Sequence, residues 1–125
     1  MALILIIDDS DFQRRLMRKL IERQGHTVIE AANGQEGLDM IATQSPACVF
    51  LDLIMPESNG FELLENLQQQ KLDIPAVVVT ADVQTSTHQQ CLELGAMAVV
   101  NKPVDSNILH QILTQALDAN QEPTS

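Results

Sequence analysis

The segment LILIIDDSDF, residues 3–12, joins five consecutive apolar residues to three carboxylates within four positions. Because a strand with one solvated face alternates apolar and polar residues, the unbroken run indicates a strand covered on both faces. The acids that follow are Asp8, Asp9 and Asp11. The chain already carries a net charge of −10, so solubility is a poor reason to crowd acids at the end of a buried strand. The placement predicts a site that binds a positively charged group.

Short apolar runs and segments with helical spacing alternate along the chain. Strands are predicted over residues 3–7, 27–31, 48–51, 76–79 and 98–100. Helices are predicted over residues 11–24, 34–43, 60–70, 85–94 and 106–119. The polar residues Thr27 and Glu30 mark the second strand as an edge strand. This alternation implies right-handed crossovers and an α/β fold, with helices on both faces of a parallel sheet.

The first predicted helix carries apolar residues at four-residue intervals. Phe12, Leu16 and Leu20 recur in this way, and so do Met17 and Ile21. This is the spacing of an amphipathic helix. We expect the helix to pack its Phe12 face on the sheet.

Composition and charge exclude several function classes. A chain of 125 residues with 45% hydrophobic residues fits one globular domain, with a core at about 3–119 and a frayed tail at 120–125. Seven basic against seventeen acidic residues argue against direct binding to nucleic acid or to an anionic membrane. No run approaches the ~20 apolar residues of a membrane span, and no secretory leader is recognisable, so we expect a cytoplasmic protein. Cys48 and Cys91 are expected to be reduced, buried thiols.

Polar side chains end four of the five predicted strands. Asp8 and Asp9 follow the first strand, Asp52 the third, Thr80 the fourth and Lys102 the fifth. In open parallel sheets, ligands bind beyond the carboxyl ends of the strands, near the point where the strand order reverses. We therefore expect these side chains to form one site.

The charges of this set indicate its chemistry. Two carboxylates ~4 Å apart repel by about 4 kcal/mol at an effective dielectric constant of roughly 20, so the acids need a cation. Oxygen ligands without Cys or His favour Mg²⁺, Mn²⁺ or Ca²⁺ over zinc. Mg²⁺ often completes its shell with a phosphate, and a lysine with a threonine suits a phosphoryl group held beside the metal. A neighbouring carboxylate can then be the nucleophile and form an aspartyl phosphate.

Four motifs occur in order along the chain: DD at 8–9, D…MP…G within 52–60, TA at 80–81 and KP at 102–103. With these motifs the chain resembles the receiver domain of two-component response regulators, and closely the single-domain, CheY-like chemotaxis type. The resemblance covers residues 3–119. It implies a flavodoxin-like (βα)5 three-layer sandwich with a parallel sheet of order 2-1-3-4-5.

The resemblance, carried over position by position, implies which residues take part in phosphorylation and metal binding. Asp52 would be the phosphorylated residue, Asp9 a direct Mg²⁺ ligand, and Asp8 a ligand acting mainly through a bound water. The backbone carbonyl of Ile54 would be another metal ligand. Lys102 would pair with the phosphoryl oxygens.

The resemblance also assigns structural and switching roles. Thr80 would hydrogen-bond the phosphoryl group and move on activation, Lys102–Pro103 would be a cis peptide, and Gly60 would close the loop after the third strand. Two positions depart from the family. Val99 stands where many receivers carry Tyr or Phe, and a valine cannot occupy and leave a large pocket as a ring does. Ile54 replaces a polar residue that would orient an attacking water, which predicts slow self-dephosphorylation.

Several other polar residues receive ordinary interpretations. Asp11 suits a helix N-cap or a first-turn acid better than a metal ligand. Asp82 is either a loop acid or a modulator of access to the phosphoryl group. His26, His88 and His110 lack ligand spacing and are expected to be ordinary surface or helix residues.

The sequence thus predicts a phosphorylation-switched signalling module rather than an enzyme acting on external substrates. A histidine kinase would phosphorylate Asp52, and a downstream protein would recognise the product. Because the chain leaves no room for a DNA-binding domain, output is expected through protein contact. A chemotaxis role with a flagellar switch or a phosphatase is favoured over a relay to a phosphotransfer protein. A Mg²⁺-dependent phosphohydrolase and a degenerate receiver that binds partners constitutively stay open.

Overall fold

In the computed structural model, the described residues are 2–55, 58–70, 74–81 and 84–120. Their strands, in chain order, are β1 (Leu3–Ile7), β2 (Thr27–Ala31), β3 (Cys48–Asp52), β4 (Ile54–Met55), β5 (Ser58–Asn59), β6 (Ala76–Thr80) and β7 (Ala98–Asn101). Their helices are α1 (Asp11–Glu22), α2 (Gly34–Gln44), α3 (Gly60–Gln69), α4 (Thr85–Glu93) and α5 (Ser106–Asn120). Every predicted element is present, and the short strands β4 and β5 are additional to the prediction.

Five parallel strands form the main sheet, in the order β2-β1-β3-β6-β7. Counted within this sheet, the order is 2-1-3-4-5, the flavodoxin-like topology that the resemblance implied. β2 is an edge strand, as its polar residues predicted. The chain places β2 on one side of β1 and β3 on the other, so the strand order reverses between β1 and β3. This is the switch point at which such sheets bind ligands.

The core consists of two layers of buried side chains on opposite faces of the sheet. Along β1, Leu5 and Ile7 belong to one layer, and Ile4 and Ile6 belong to the other. Buried residues of α2, α3 and α4 complete the first layer, and those of α1 and α5 complete the second. Because alternate residues of a strand point to opposite faces, an unbroken apolar run is what a doubly covered strand requires. The protein is a three-layer α/β/α sandwich.

The helix α1 packs on the sheet by a different face from the one predicted. Met17 and Ile21 are buried, whereas Phe12 is 63% exposed and Leu16 is 44% exposed. The prediction that the Phe12 face packs on the sheet is therefore wrong. Successive residues of a helix are turned by ~100°, so the Phe12 series lies to one side of the face of Met17 and Ile21, and of its three members only Leu20 packs partly against the core. The buried side chains of α5 belong to the same layer as Met17 and Ile21, and that layer does not include Phe12.

Local hydrogen bonding sets the two ends of α1. Ser10 is the N-cap, and its hydroxyl oxygen accepts the backbone N–H of Gln13 at 3.2 Å. Asp11 lies in the first turn, so of the two positions open to it the structure selects the first-turn acid, which complements the helix dipole. The helix ends at Glu22, and Gly25 then adopts a φ of +91°, a conformation that favours glycine.

Both cysteines are buried thiols, as expected. Cys48 lies in the core layer shared with α1 and α5, and Cys91 lies in the opposite layer, so the sheet separates them. Burial raises the pKa of the Cys48 thiol to about 12. This thiol therefore stays protonated near neutral pH and is a poor nucleophile.

No helix within the described residues is long and apolar enough to cross a membrane. Two expectations fall outside those residues. One is the role of Asp82, and the other is the fraying of the tail, of which only Asn120, the last residue of α5, is described.

Candidate functional site

Three carboxylates converge at the carboxyl ends of β1 and β3. Asp8 and Asp9 directly follow β1, and Asp52 is the last residue of β3. One carboxylate oxygen from each residue lies within 4.8 Å of the other two. Asp8 is buried, Asp52 is partly buried and Asp9 is exposed, so the cluster meets solvent on the Asp9 side. Since β1 and β3 are neighbours, the cluster lies at the switch point of the sheet.

The donor set of this cluster fits a hard divalent cation. Its side-chain ligand atoms are all carboxylate oxygens, which suit Mg²⁺, Mn²⁺ or Ca²⁺. Oxygens on opposite sides of one such ion are roughly 4–5 Å apart, which matches the spread of the cluster. Ile54, whose carbonyl the resemblance implied as a further ligand, begins β4 two residues after Asp52.

Lys102 contributes positive charge to this cluster. Its Nζ lies 3.4 Å from Asp8 Oδ2 and 3.5 Å from Asp52 Oδ2. The backbone N–H of Lys102 donates to Thr80 O at 2.9 Å, and the Lys102–Pro103 peptide is cis, as the resemblance implied. The ammonium offsets the mutual repulsion of the carboxylates. The structure thus brings the predicted lysine and acids into one ion-paired group.

Arg14, which was not predicted from the sequence as a site residue, holds the backbone of the acidic pair. Its guanidinium donates to the backbone oxygen of Asp8 and to the carboxylate of Asp11. Its Nε also donates to Glu30 Oε1 in β2 at 3.0 Å. The one pattern that could have indicated this residue is its spacing of three from Asp11 on the same helix.

Thr80 is the last residue of β6, and it is 1% exposed. The strand register pairs Asp52 with Val79, so Thr80 lies one residue further along the adjacent strand. Its backbone oxygen accepts the N–H of Lys102 at 2.9 Å and Asn101 Nδ2 at 3.5 Å. The structure therefore places Thr80 at the same edge of the sheet as the acids.

Val99 is half-buried in β7, where it pairs with Val78 and packs on the core layer of α2, α3 and α4. Two residues further along the chain, Asn101 Nδ2 lies 3.4 Å from His88 Nε2 in α4. His88 was expected to be an ordinary surface or helix residue, and no sequence motif includes Asn101. No sequence spacing indicates this contact, which joins α4 to the strand end beside Lys102.

Gly60 closes the loop that follows β3. Its N–H donates to Leu53 O at 2.7 Å, while β4 and β5 pair as a short antiparallel ladder. A Cβ atom at this position would lie 2.8 Å from Leu51 Cδ1 and 2.9 Å from the Cα of Leu53. Only glycine fits this close approach to the backbone next to Asp52, in agreement with the role that the resemblance implied.

The model of the response regulator receiver domain family matches residues 4–114. The chain belongs to the receiver domain family. A protein-glutamate methylesterase/protein-glutamine glutaminase of Treponema pallidum is 37% identical to this receiver domain over 111 residues, which are 86% of this chain and 28% of that protein. The transcriptional regulatory protein SrrA of Staphylococcus aureus is 35% identical over 100 residues, which are 80% of this chain and 41% of that protein.

A solved structure resembles this receiver domain over nearly its whole length. The chemotaxis protein CheY4 of Vibrio cholerae superposes with a TM-score of 0.86 at 26% identity, covering 94% of this chain and 99% of that chain. The receiver domain spans less than half the length of the two curated relatives. The part shared with them is the receiver domain, a module of two-component signalling.

Proposed function

We propose that this receiver domain is a phosphorylation switch in which Asp52 accepts a phosphoryl group from a histidine kinase in a Mg²⁺-dependent reaction. The observation that carries the proposal is the ion-paired group at the sheet edge. Lys102 Nζ lies within 3.5 Å of carboxylate oxygens of Asp8 and Asp52, and Asp9 completes the cluster. We include the backbone carbonyl of Ile54 as a metal ligand from its position two residues after Asp52.

Each side chain of the group has a separate part in the transfer. A carboxylate oxygen of Asp52 attacks phosphorus, the bond from phosphorus to the imidazole nitrogen of the donor breaks, and an aspartyl phosphate forms. Asp8 and Asp9 hold Mg²⁺, which when bound neutralises charge on the phosphoryl oxygens. The Lys102 ammonium pairs with those oxygens, and the Thr80 hydroxyl donates a hydrogen bond to them.

The added charge changes the surface around Thr80. A shift of Thr80 toward the phosphoryl group reaches β7, because the Thr80 backbone oxygen accepts bonds from Lys102 and Asn101. It then reaches α4 through the contact of Asn101 with His88. Val99 has no ring to reorient, so we assign the switch to Thr80 and these polar neighbours. A partner that prefers the shifted state reads the signal through its differential affinity.

We favour a chemotaxis output, through a flagellar switch or a dedicated phosphatase, over a role as a phosphorelay intermediate. The likeness to a chemotaxis protein over 99% of its chain supports this choice. The net charge of −10 supports output to a protein rather than to nucleic acid. The two buried thiols agree with a cytoplasmic location.

The proposal is tested by incubating the protein with acetyl phosphate and Mg²⁺ and measuring its intact mass. We expect one phosphoryl adduct, which Asp52→Asn or removal of the metal by EDTA abolishes. Asp39→Asn, a matched substitution at an exposed position of α2, should leave the adduct unchanged. A stable single adduct supports the switch.

The alternatives predict other results in the same assay. Rapid multiple turnover of acetyl phosphate would indicate a phosphohydrolase instead, and the absence of an adduct would indicate a degenerate binding module. Two further results separate chemotaxis from a relay. A chemotaxis role predicts that deletion of the gene changes flagellar reversal. A relay role predicts that the phosphoryl group passes from Asp52 to a histidine of another protein.

A further inference from the structure

Arg14 joins three segments of the chain at the base of the acidic cluster. Its side chain is 12% exposed. It donates to the backbone oxygen of Asp8, to the carboxylate of Asp11 on its own helix, and to Glu30 in the edge strand β2. An arginine this well covered, with acceptors in three directions, is held in one orientation. Its position is therefore set by the fold.

The Asp8 backbone oxygen belongs to the peptide group that links Asp8 to Asp9. The preceding peptide group, between Ile7 and Asp8, is fixed because its N–H donates to Ala31 O at 3.1 Å. The Asp8 side chain in turn accepts the backbone N–H of Ser10 at 2.9 Å. Arg14 adds the bond that fixes the peptide between the two acids. Because a peptide group is planar, rotating this one would turn Asp9 away from Asp8.

Asp9 depends on this restraint more than its neighbour does. Asp8 is buried and ion-paired with Lys102, whereas Asp9 is exposed. An exposed side chain is not oriented by packing, so the backbone that carries it must set its direction. A metal site needs its ligands oriented by the groups behind them, and losing such a group typically weakens metal binding by about 10–100-fold.

The contacts require a guanidinium rather than any positive charge. Arginine presents five donors in a planar fork, whereas lysine presents a compact charge on a flexible stem. Glu30 is itself held from a second side, since Arg18 Nη1 donates to its other carboxylate oxygen. The fork of Arg14 thus connects the acidic pair to an anchored residue of β2.

We propose that Arg14 is a positioning residue that fixes the Asp8–Asp9 peptide and so presents Asp9 for cation binding. The inference rests on the proposed Mg²⁺-dependent function. To that function the inference adds Arg14 as the residue that orients the metal ligands, and β2 as the strand to which Arg14 connects them.

The test is the affinity of the unphosphorylated protein for Mn²⁺, a spectroscopic substitute for Mg²⁺, measured by electron paramagnetic resonance of the free ion. We expect Arg14→Gln to weaken Mn²⁺ binding about 10-fold or more. Arg15→Gln, the same change of charge at an exposed position of α1, is the matched control and should bind normally. Arg14→Lys keeps the charge without the fork and should also bind weakly.

Phosphorylation by acetyl phosphate supplies a second readout. For Arg14→Gln, the Mg²⁺ concentration at half-maximal rate should rise, while the rate at saturating Mg²⁺ should approach that of the unaltered protein. A merely unfolded variant would lose the maximal rate instead, and thermal unfolding by circular dichroism identifies that case. Variants are compared at a temperature where each is folded.

Three results would overturn the proposed role of Arg14 while leaving the proposed function intact. Normal Mn²⁺ affinity of Arg14→Gln would show that the contact does not orient the ligands. Normal affinity of Arg14→Lys would show that charge, not position, is what matters. Loss of the maximal rate with an unchanged Mg²⁺ requirement would place Arg14 elsewhere in the reaction. Failure of the unaltered protein to bind Mn²⁺ would instead overturn the proposed function, and the role of Arg14 with it.

Discussion

The ammonium nitrogen of Lys102 lies 3.5 Å from Asp52 Oδ2, although β3, which ends at Asp52, and β7, which Lys102 directly follows, are not neighbours in the sheet. β6 lies between β3 and β7, so the lysine side chain reaches across the end of that strand. Thr80 ends β6 and bonds the Lys102 backbone. The ends of β3, β6 and β7 therefore form one group. Substitutions that change its charge or its packing should change the stability of the protein and its phosphorylation.

Lys102→Gln removes the cation of this group. We expect the free energy of unfolding at neutral pH to fall by about 1–3 kcal/mol, because the buried Asp8 loses its ion pair. Mg²⁺ should stabilise this variant more than it stabilises the unaltered protein, since the ion replaces the lost charge. Urea unfolding with and without Mg²⁺ measures both effects, and Lys19→Gln, exposed on α1, is the control. The expectation would be contradicted if Lys102→Gln and the unaltered protein had the same free energy of unfolding both with and without Mg²⁺.

Gly60→Ala places a Cβ atom where it meets backbone. The contact of 2.9 Å with the Cα of Leu53 cannot be relieved by a side-chain rotation, so we expect a loss of about 1–3 kcal/mol. Phosphorylation should also slow, because the displaced backbone carries Asp52. Gly25→Ala is the comparison: it meets open space but has a positive φ, so it should cost about 1–2 kcal/mol without slowing phosphorylation. Equal phosphorylation rates for the two variants would count against this account.

Phe12 tests which face of α1 is buried, and Phe50 in β3 serves as the comparison with a ring in the core. Phe50→Ala empties a core position that is 2% exposed and should cost about 3–5 kcal/mol. Phe12→Ala removes an exposed ring and should change stability by no more than about 0.5 kcal/mol. Chemical unfolding of both variants measures the difference. A large loss for Phe12→Ala would show that the ring packs on the protein in solution.

His26 is expected to cause part of the loss of folding stability at acidic pH. Burial lowers its pKa, and its Nδ1 accepts the backbone N–H of Ala2 at 3.2 Å. The unfolded chain therefore binds the proton more readily than the folded one. Stability from this group is present above the ordinary histidine pKa of ~6.5 and is lost as the pH falls below it. His26→Asn should reduce the loss below about pH 6.5, measured by urea unfolding across pH. A pH dependence of stability that is unchanged in this variant would refute the assignment.

Ile54→Asn tests the predicted slow self-dephosphorylation. An amide at this position can orient a water for attack on the aspartyl phosphate, which an apolar side chain cannot do. We expect the phosphorylated variant to decay faster after removal of acetyl phosphate, as followed by intact mass. Ile54→Val, which stays apolar, is the matched control and should decay like the unaltered protein. The idea fails if Ile54→Asn decays at the unaltered rate.

The strands and the edge position of β2 were predictable from local patterns. A doubly covered strand needs an apolar residue at every position, and only residues 27–31 break this requirement within a predicted strand. The convergence of Asp8, Asp52, Thr80 and Lys102 was predictable too, because parallel strands bring their carboxyl ends to one edge. The strand order came from the resemblance, since alternation alone does not specify it.

The buried face of α1 was not predictable in the same way. Two apolar series on one helix satisfy the amphipathic pattern equally well, and the choice depends on which of them α5 and the sheet can cover. The pattern of α1 therefore indicated a helix correctly and its packing face wrongly.

Local sequence thus determines the helices and strands of this protein and the edge of the sheet at which its site residues lie. The reason is that the periodicity of apolar residues and the alternation of strands with helices are both patterns along the chain. The contacts that hold the site depend on tertiary packing. Arg14 and Glu30 are 16 positions apart, Asn101 and His88 are 13 apart, and Lys102 and Asp8 are 94 apart. Such pairs meet only after the sheet and helices have set their distance and direction, and no spacing along the chain encodes that geometry.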